Sequence, residues 1–423
     1  MPSYATLDNV DAILKEFIDG QGREELVTVN APTMGLFRKN TNFSGRSMPL
    51  PFEYAPIAGV SPHFPSAQAS KADASEEAWD IVTDDMFALW SIEHKAMYMT
   101  RSDKGAFIEL VSARAKSAML AFKKVTAHAA YGNGGGMLAE IEANDGAGVL
   151  TLIPNGSMRV FDRMMYIQPA TTDGMSGAVI NDIQQIDRVN RNVRQITAVS
   201  GNFPIANFAV GNFVFIRGGF GRYISGFDAW LPTSTPSSTA HFGVDRTLDD
   251  RLYGRFYEPD TSEDVNAEEA LITLGERVHE MGGEPDLVLC HPAFKTALLK
   301  ILNSKTDYDR STVPAAGESE AKISYKSIVL ALDSGDVDLI TDYNCPRNRV
   351  YLLQKDTWVW ISAGEMPMRL KYGDDDKNYA RHGTENAMEA RLGAYMQLAC
   401  TFPGANGVMT VPDEWLSSLP EAA

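Results

Sequence analysis

The chain has 423 residues, enough to bury at least one large core, and its 44% hydrophobic content is typical of a globular protein. Its 55 acidic residues outnumber the 38 basic ones, and the formal net charge of −17 argues against a dedicated binder of nucleic acid or of anionic membranes. No apolar run approaches the ~20 residues of a membrane-spanning helix, and we expect no secretory leader at Met1.

The first 77 residues predict two segments that need a partner surface. In residues 1–32, apolar side chains at helical spacing end at Asp19-Gly20, and this stripe is too short to form a core alone. Residues 33–77 contain repeated Pro and Gly, which exclude a helix, yet they carry many large apolar side chains. We therefore predict a docking arm and an extended loop that lies on another surface, such as a neighbouring subunit.

Two helices are expected next. The first is predicted over residues 84–100 and the second over 106–131, where the run Gly132-Asn133-Gly134-Gly135-Gly136 is a strong stop. Apolar residues follow one face of the second helix. At 1.5 Å per residue this helix would be roughly 39 Å long, well above the usual length.

The rest of the chain changes from a β pattern to an α/β pattern. Residues 145–260 predict β structure, with strand candidates at 149–153, 158–167, 193–199 and 213–217. Residues 261–365 predict helices near 267–281 and from Pro292 onward, with strands at 286–290, 337–341 and 349–353. Residues 366–423 return to mixed strands and a tail rich in Pro and Gly.

The sequence offers no catalytic, cofactor-binding or metal-binding residue, so we expect a protein that is not an enzyme. It has no Gly-x-Ser-x-Gly elbow, and the glycine run at 132–136 lacks the Lys-Ser/Thr of a phosphate cradle. Cys290-His291 lacks the spaced partners of a zinc site, and Cys345 and Cys400 add only distant thiols, typical of a reduced compartment. The acidic segments 258–269 and 374–376 suit a helix start and a solvated turn.

Three segments, in this order, resemble the major capsid protein of tailed bacteriophages. They are residues 282–294 (GGEPDLVLCHPAF), the strand pair between Asp338 and Trp358, and residues 388–398 (MEARLGAYMQL) followed by Pro403. The order of arm, aromatic loop, long helix, β insertion, α/β domain and returning segment matches that family over nearly the whole chain. The resemblance implies an α+β fold of the Hong Kong 97-like capsid type.

The resemblance also implies a division of the chain into six regions. These are an N-terminal arm (1–32), an extended loop (33–77), a peripheral domain with a long spine helix (78–144), an inserted β subdomain (145–262), an axial α/β domain (263–365), and a return to the peripheral domain with a C-terminal tail (366–423).

The function implied by the resemblance is self-assembly into an icosahedral or prolate shell around double-stranded DNA. Hexamers and pentamers would form the shell in the host cytoplasm and become part of the virion. The DNA would be held by enclosure, and the negative charge of the chain suits a wall to which DNA does not adhere. Too few residues precede the loop for a built-in scaffolding segment, so we expect a separate scaffolding protein besides portal and decoration proteins. No cofactor and no membrane are implied.

We expect contacts between subunits at aromatic and Arg side chains, because these types dominate protein interfaces. In the loop and on the long helix they are Phe37, Arg38, Phe43, Arg46, Phe52, Tyr54 and Arg114. Two alternatives stay open. One is an encapsulin-like nanocompartment shell, which shares the fold but holds an enzyme cargo. The other is an α+β hydrolase that uses the carboxylates of residues 258–269.

Overall fold

The computed structural model describes residues 32–93, 104–154, 156–199, 201–237, 240–260, 265–305, 328–332, 335–370, 380–381 and 386–417. The predicted arm, apart from Pro32, lies outside these residues, and so does the acidic turn at 374–376. Of residues 104–114 only the backbone is described, so the side chain of Arg114 has no described position.

The described part of the chain combines helices with runs of consecutive strands, as expected for an α+β fold. In chain order they are α1 (Pro32–Leu36), β1 (Arg38–Asn40), β2 (Met48–Ala55), α2 (Phe64–Ala69), β3 (Ser75–Ile81), β4 (Asp84–Glu93), α3 (Lys104–Ala129), β5 (Met137–Asn144), β6 (Val149–Leu152), β7 (Tyr166–Ala170), β8 (Gln184–Asn190), β9 (Gln195–Ala198) and β10 (Phe213–Ile216). They continue with α4 (Phe227–Trp230), β11 (Ala240–His241), β12 (Val244–Asp245), β13 (Arg255–Tyr257), α5 (Ala267–Glu280), β14 (Leu287–Cys290), α6 (Pro292–Lys305), β15 (Ile328–Leu332), β16 (Gly335–Thr341), β17 (Arg349–Leu353), β18 (Trp358–Ser362), β19 (Met368–Leu370), β20 (Ala380–Arg381), β21 (Ala387–Cys400), β22 (Gly407–Thr410) and α7 (Asp413–Ser417).

The first sheet is built around β21. Along one side β21 pairs antiparallel with β4, and along the other side it pairs with β18, β19 and β20. β1 joins the sheet in parallel with β18. Trp358 and Trp360 of β18 are fully buried in the main hydrophobic core beneath this sheet.

The prediction of a helix over residues 84–100 is wrong for residues 84–93, which form β4, while 94–100 lie outside the described part. Alternate side chains of β4 turn inward, so that Trp90 and Ile92 are buried. Phe87 and Leu89 lie on the other face, about half exposed. These two apolar side chains interrupt the apolar–polar alternation of a half-buried strand and give the segment the apolar character of a helix.

The predicted extended loop is an antiparallel hairpin of β2 and β3. Its pairing runs from Met48 opposite Ile81 to Ala55 opposite Ser75, and α2 lies at the closed end. The prediction that no helix forms in this region is wrong for the short helices α1 and α2. α2 accommodates Pro65 in its first turn, where a missing amide hydrogen costs no intrahelical bond.

α3 confirms the long helix predicted from the apolar stripe. Its 26 residues end just before the glycine run, and the Gly132 amide donates to the Ala129 carbonyl oxygen at 3.0 Å. Ala115 and Phe122 of the stripe are buried, and the helix packs against β4. Leu120, off the stripe, is 45% exposed.

The β insertion is a closed antiparallel barrel in the strand order β10-β5-β6-β9-β8-β7. Its interior holds apolar side chains that include Ile141, Leu150, Ile167, Ile196 and Val214. The strand candidates at 149–153, 193–199 and 213–217 are confirmed, whereas the candidate at 158–167 is a strand only from Tyr166 onward. The barrel also begins before the predicted boundary at 145, because β5 follows the glycine run directly as an alternating, half-buried strand.

The second sheet has the order β13-β22-β17-β14-β16-β15, and α5 and α6 pack on it around a second apolar core. The helices and strands predicted here from the sequence are confirmed. The boundaries predicted for the axial domain, residues 263 and 365, do not match this sheet. Two of its strands, β13 and β22, lie outside that range of the sequence. β18 lies within them but pairs with β21 in the first sheet, because its two Trp side chains belong to the main core.

Candidate assembly surfaces

Burial holds the Cys290 and Cys400 thiols and the His291 imidazole in their neutral forms near neutral pH. Burial raises the pKa of Cys290 and that of Cys400 to about 12, so both thiols stay protonated near neutral pH. Burial also lowers the pKa of His291 to about 4, helped by the nearby charge of Arg347. Within the described residues no three His, Cys, Asp or Glu side chains gather as a metal site. In the same part of the chain, no helix is long and apolar enough to cross a membrane.

The described acids of segment 258–269 nearest α5 serve the start of that helix. The Asn266 Oδ1 atom accepts hydrogen bonds of 3.1 Å from the backbone amides of Glu268 and Glu269. In return, Glu269 Oε2 accepts from the Asn266 amide at 3.4 Å, which completes a capping box. This structural role gives the hydrolase alternative no support.

The glycine run after α3 connects this helix to the barrel through closely packed backbone. Gly136 has a φ of +84°, and a Cβ atom there would lie 2.3 Å from the Gly219 carbonyl oxygen. Asn133 Nδ2 donates to Asp173 Oδ2 at 2.7 Å, and Asn133 Oδ1 accepts from the Gly135 amide at 2.9 Å. Glycine is therefore required here by close backbone approach.

Two of the residues predicted to contact another subunit instead contact other residues of their own chain. Phe37 is only 4% exposed, and its ring centroid lies 5.8 Å from that of Phe227 and 6.0 Å from that of Trp358. The exposed Arg38 guanidinium donates to the backbone carbonyl oxygen of Asp356. Both side chains help to dock the base of the hairpin on the first sheet.

The other loop aromatics are half-buried. Phe52 stacks on the buried Trp79 with ring centroids 4.8 Å apart, and the Tyr54 backbone carbonyl oxygen accepts a hydrogen bond from Arg251. Phe43 packs at the edge of the main core. The Phe52–Trp79 contact joins the two strands of the hairpin, and the Arg251 hydrogen bond ties the hairpin to the rest of the subunit. Only part of each loop ring is left exposed.

The closed end of the hairpin is the more exposed apolar surface. Ile57 is 63% exposed, Val60 97% and Phe64 77%. Arg46 is also exposed, in the loop between β1 and β2. The three tip residues are not among the contact residues predicted from the sequence, although the Pro and Gly that surround them mark the turn of the hairpin. We call Ile57, Val60 and Phe64 the hairpin tip.

A groove of about 880 Å³ lies between β4, α3 and the barrel. Phe87, Leu89 and Met164 line it and are each about half exposed. A salt bridge between Lys124 Nζ and Asp162 Oδ2, 2.6 Å long, joins α3 to the barrel within this groove. The groove thus combines an apolar surface with charged side chains, of which Lys124 and Asp162 pair with each other.

The carboxyl of Asp84 at the start of β4 also lines the groove. Burial raises its pKa to about 6, while the hydrogen bond from Gln397 Nε2 at 2.9 Å acts in the opposite direction. The neighbouring negative charge of Asp85 raises the pKa further. Asp84 therefore changes charge in the mildly acidic range.

A buried polar network joins α3, α4 and the second sheet. The Tyr131 hydroxyl donates to Asp342 Oδ2 at 2.9 Å, and the Tyr351 hydroxyl donates to Asp228 Oδ1 at 2.7 Å. Asn344 donates twice to Asp342 Oδ1, from its backbone and side-chain nitrogens, both at 2.8 Å. Burial raises the pKa of both carboxyls, and these hydrogen bonds lower it.

Comparison with known proteins identifies this architecture. A chain of the capsid asymmetric unit of cyanophage A-1(L) superposes with a TM-score of 0.53, covering 90% of this chain and 93% of that one at 11% identity. The chain has the phage capsid fold. The prediction of this fold from the sequence is thereby confirmed, although no family model and no curated protein matches the sequence.

Two further solved structures align over similar lengths. The capsid of a native GTA particle has a TM-score of 0.44 at 9% identity and covers 89% of this chain and 88% of its own. Mycobacterium phage Ogopogo has a TM-score of 0.42 at 9% identity and covers 89% and 90%. The assignment of the capsid fold rests on the cyanophage chain.

Proposed function

We propose that this protein is the major capsid protein of a tailed phage and assembles into the shell that encloses its double-stranded DNA. The observation that carries the proposal is the capsid fold, which extends over 90% of this chain and 93% of the cyanophage capsid chain. The hairpin tip supports it, because three large apolar side chains at the end of a projecting hairpin are unfavourable in an isolated monomer.

Each part of the described structure takes a role in this proposal. The first sheet with α3 forms the peripheral domain, the hairpin is the extended loop, and the barrel is the inserted β subdomain. The second sheet with α5 and α6 forms the axial domain, which meets its copies around the symmetry axes. Residues 1–32 are proposed to be the arm that embraces another subunit.

The hairpin tip contacts a neighbouring copy in this proposal. Phe37 and Arg38 anchor the base of the hairpin, and the Tyr54 carbonyl oxygen ties it to Arg251, so these contacts determine where the tip is presented. Phe52 packs on Trp79 within the hairpin. Arg46 is exposed and stays a predicted contact. Phe43 and Arg114 also stay predictions.

The proposed partners are other copies of the chain, as hexamers and pentamers, with a separate scaffolding protein, a portal and decoration proteins. DNA is enclosed without sequence-specific contacts, and the net charge of −17 suits a wall that does not bind it. The protein is proposed to be part of the virion, assembled in the host cytoplasm, and not an enzyme.

Electron microscopy of the purified chain, with sedimentation velocity on the same sample, tests this proposal. Closed shells, or tubes and rings of the subunit, are the expected result. Nucleic acid inside particles isolated from the native source would support a capsid, whereas a protein cargo would support the encapsulin-like alternative. A chain that stays monomeric under all assembly conditions would contradict both.

A further inference from the structure

One edge of the second sheet carries a cluster of arginine and aromatic side chains. His291 directly follows β14, and Tyr343 closely follows β16. Because these two strands run parallel, both residues lie at the same edge of the sheet. The Arg159 guanidinium lies 5.3 Å from the Tyr343 ring, whose centroid is 5.9 Å from that of His291. Arg347 stands close enough to His291 to lower its pKa. We call these four residues the arginine pole.

The arginine pole is positively charged and accessible. His291 is neutral near pH 7 because of burial and the adjacent Arg347, so the two Arg side chains supply the charge. Arg159 is exposed, and Tyr343 is 56% exposed. Asp342, which interacts electrostatically with Arg159, is buried and occupied by hydrogen bonds from Tyr131 and Asn344. Asp413 and Glu414 of α7 come shortly after β22. They lie at the same edge of the sheet, but two strands away from β14, on the far side of β17.

The opposite edge of the same strands carries carboxylates. Asp286 precedes β14, Asp336 and Asp338 lie at the start of β16, and Glu284 lies in the turn that enters β14. Glu284, Asp336 and Asp338 are exposed. Within the described residues one cation is paired with this group, Lys355, whose Nζ atom lies 3.3 Å from Asp286 and 3.9 Å from Asp338. We call the four acids the acidic pole.

The two poles lie at opposite ends of the short parallel strands, roughly 15 Å apart at about 3.3 Å per residue. A surface with opposite charges at two ends of one domain cannot pair with itself about a two-fold axis through either pole, since like charges would meet. It can pair head to tail, positive end to negative end. Heterologous contacts of this kind close into rings when the rotation between copies allows it.

We propose that the arginine pole of one copy docks on the acidic pole of the next copy around the rings of the shell. This inference rests on the proposed function and names the surface through which axial domains meet, with Arg159 contributed by the neighbouring barrel of the same subunit. The occupant of each pole is a second copy of this chain, because the complementary charge is present on the opposite edge of the same sheet. Tyr343 and Arg159 supply the residue types that carry most of the binding energy in protein interfaces.

Charge reversal at each pole gives a test with an internal rescue. Variant A carries Arg159→Glu and Arg347→Glu, and variant B carries Asp336→Lys and Asp338→Lys. Each variant alone presents like charges across every head-to-tail contact, so we expect loss of assembled particles in sedimentation and electron microscopy. In an equimolar mixture A and B can alternate around a six-membered ring, which restores opposite charges at every contact. We therefore expect hexameric rings, or sheets and tubes built from them, to return, whereas a five-membered ring keeps one contact between like charges.

The controls separate folding from association. Glu142→Lys and Arg188→Glu reverse exposed charges on the barrel and are expected to assemble like the wild type. Circular dichroism melting checks that A and B are folded, and Arg159→Glu alone replaces A if the partly buried Arg347 makes the double variant unstable. Because the contact is electrostatic, pairing of A with B should weaken as salt rises.

Two results would overturn the proposal. One is that A or B assembles alone as well as the wild type does. The other is that folded A and B fail to associate when mixed at low salt. A wild-type chain that never assembles would count against the proposed function instead. The pairing of the poles can still be decided in that case, because A and B should associate with each other in solution while neither associates with itself.

Discussion

The Tyr131 hydroxyl and the buried Asp342 carboxylate lie 2.9 Å apart, and this hydrogen bond links the end of the long helix to the second sheet. The two residues are separated by 211 positions in the sequence. The Tyr131 ring also packs on Phe227 and Tyr351, with centroid distances of 5.3 and 5.8 Å. The orientation of the proposed axial domain relative to the peripheral domain is therefore fixed by a buried polar and aromatic contact.

Removing the Tyr131 hydroxyl should destabilise the subunit. In Tyr131→Phe the buried Asp342 carboxylate loses one donor, and we expect a loss of about 1–3 kcal/mol in the free energy of unfolding. Chemical denaturation measures it. Tyr223→Phe is the matched control, because Tyr223 is also buried and its hydroxyl has no hydrogen-bond partner among the described residues. Equal losses in both variants would contradict the role assigned to the Tyr131–Asp342 bond.

The junction between the long helix and the barrel depends on the absence of a side chain at residue 136. Gly136 and Gly211 share nearly the same backbone conformation, with φ of +84° and +82°. An added Cβ would meet the Gly219 carbonyl oxygen at 2.3 Å in the first case and nothing within 4 Å in the second. Gly211→Ala should therefore cost only about 1–2 kcal/mol of backbone strain.

Gly136→Ala adds a backbone clash to that strain. We expect its loss in the free energy of unfolding to exceed that of Gly211→Ala by about 1–3 kcal/mol. Thermal melting of the two variants, followed by circular dichroism, gives the comparison. Similar melting temperatures for both would show that the junction can relax.

The groove carboxyl should make stability depend on pH. Because the folded-state pKa of Asp84 is raised from 3.8 to about 6, the stability contributed by its protonated form is complete below about pH 4 and is lost as pH rises through about 6. Asp84→Asn removes this loss. We expect the variant to melt at a higher temperature than the wild type at pH 7 and at the same temperature at pH 4.

Glu142→Gln is the control for that measurement, because Glu142 is an exposed acid of the barrel that does not line the groove. Its melting temperature should differ from the wild type by the same small amount at both pH values. An Asp84→Asn variant that gained nothing at pH 7 would show that the carboxyl is not desolvated as described.

The sequence predicted the parts of the fold whose apolar periodicity is complete, and missed those whose pattern is mixed. The stripe from Ala115 to Ala129 and the glycine stop located α3 correctly. β4 was predicted as a helix because Phe87 and Leu89 face the groove and hide the alternation of a strand. No local signal shows that β22 joins β17 across more than fifty intervening residues, so the boundaries of the second sheet were missed.

The contact residues were harder to predict than the fold. Residue type selected Phe37 and Phe52, whereas their exposure depends on tertiary packing: Phe37 packs on Trp358, and Phe52 stacks on Trp79 of the paired strand. Deleting residues 36–60 would not isolate the role of the loop. Phe37 is buried and β1 pairs with β18, so such a deletion would open the core.

Polar substitution at the hairpin tip is the sharper test of the loop. In Val60→Asp/Phe64→Asp both changed side chains are exposed, so we expect a melting temperature within a few degrees of the wild type and a loss of assembled particles. Val210→Asp is the control, since Val210 is 68% exposed on a loop of the barrel. Sedimentation of the three proteins measures assembly. Normal particle yield from the tip variant would remove the tip from the shell contacts.

Cryo-electron microscopy of assembled particles tests the central proposal most directly, because it places every copy of the subunit in its lattice. We predict closed shells in which each hairpin tip is covered by a neighbouring copy and the second sheets surround the symmetry axes. A chain that forms no such lattice, or a map in which the hairpin tips point into solvent without a neighbour, would contradict the account.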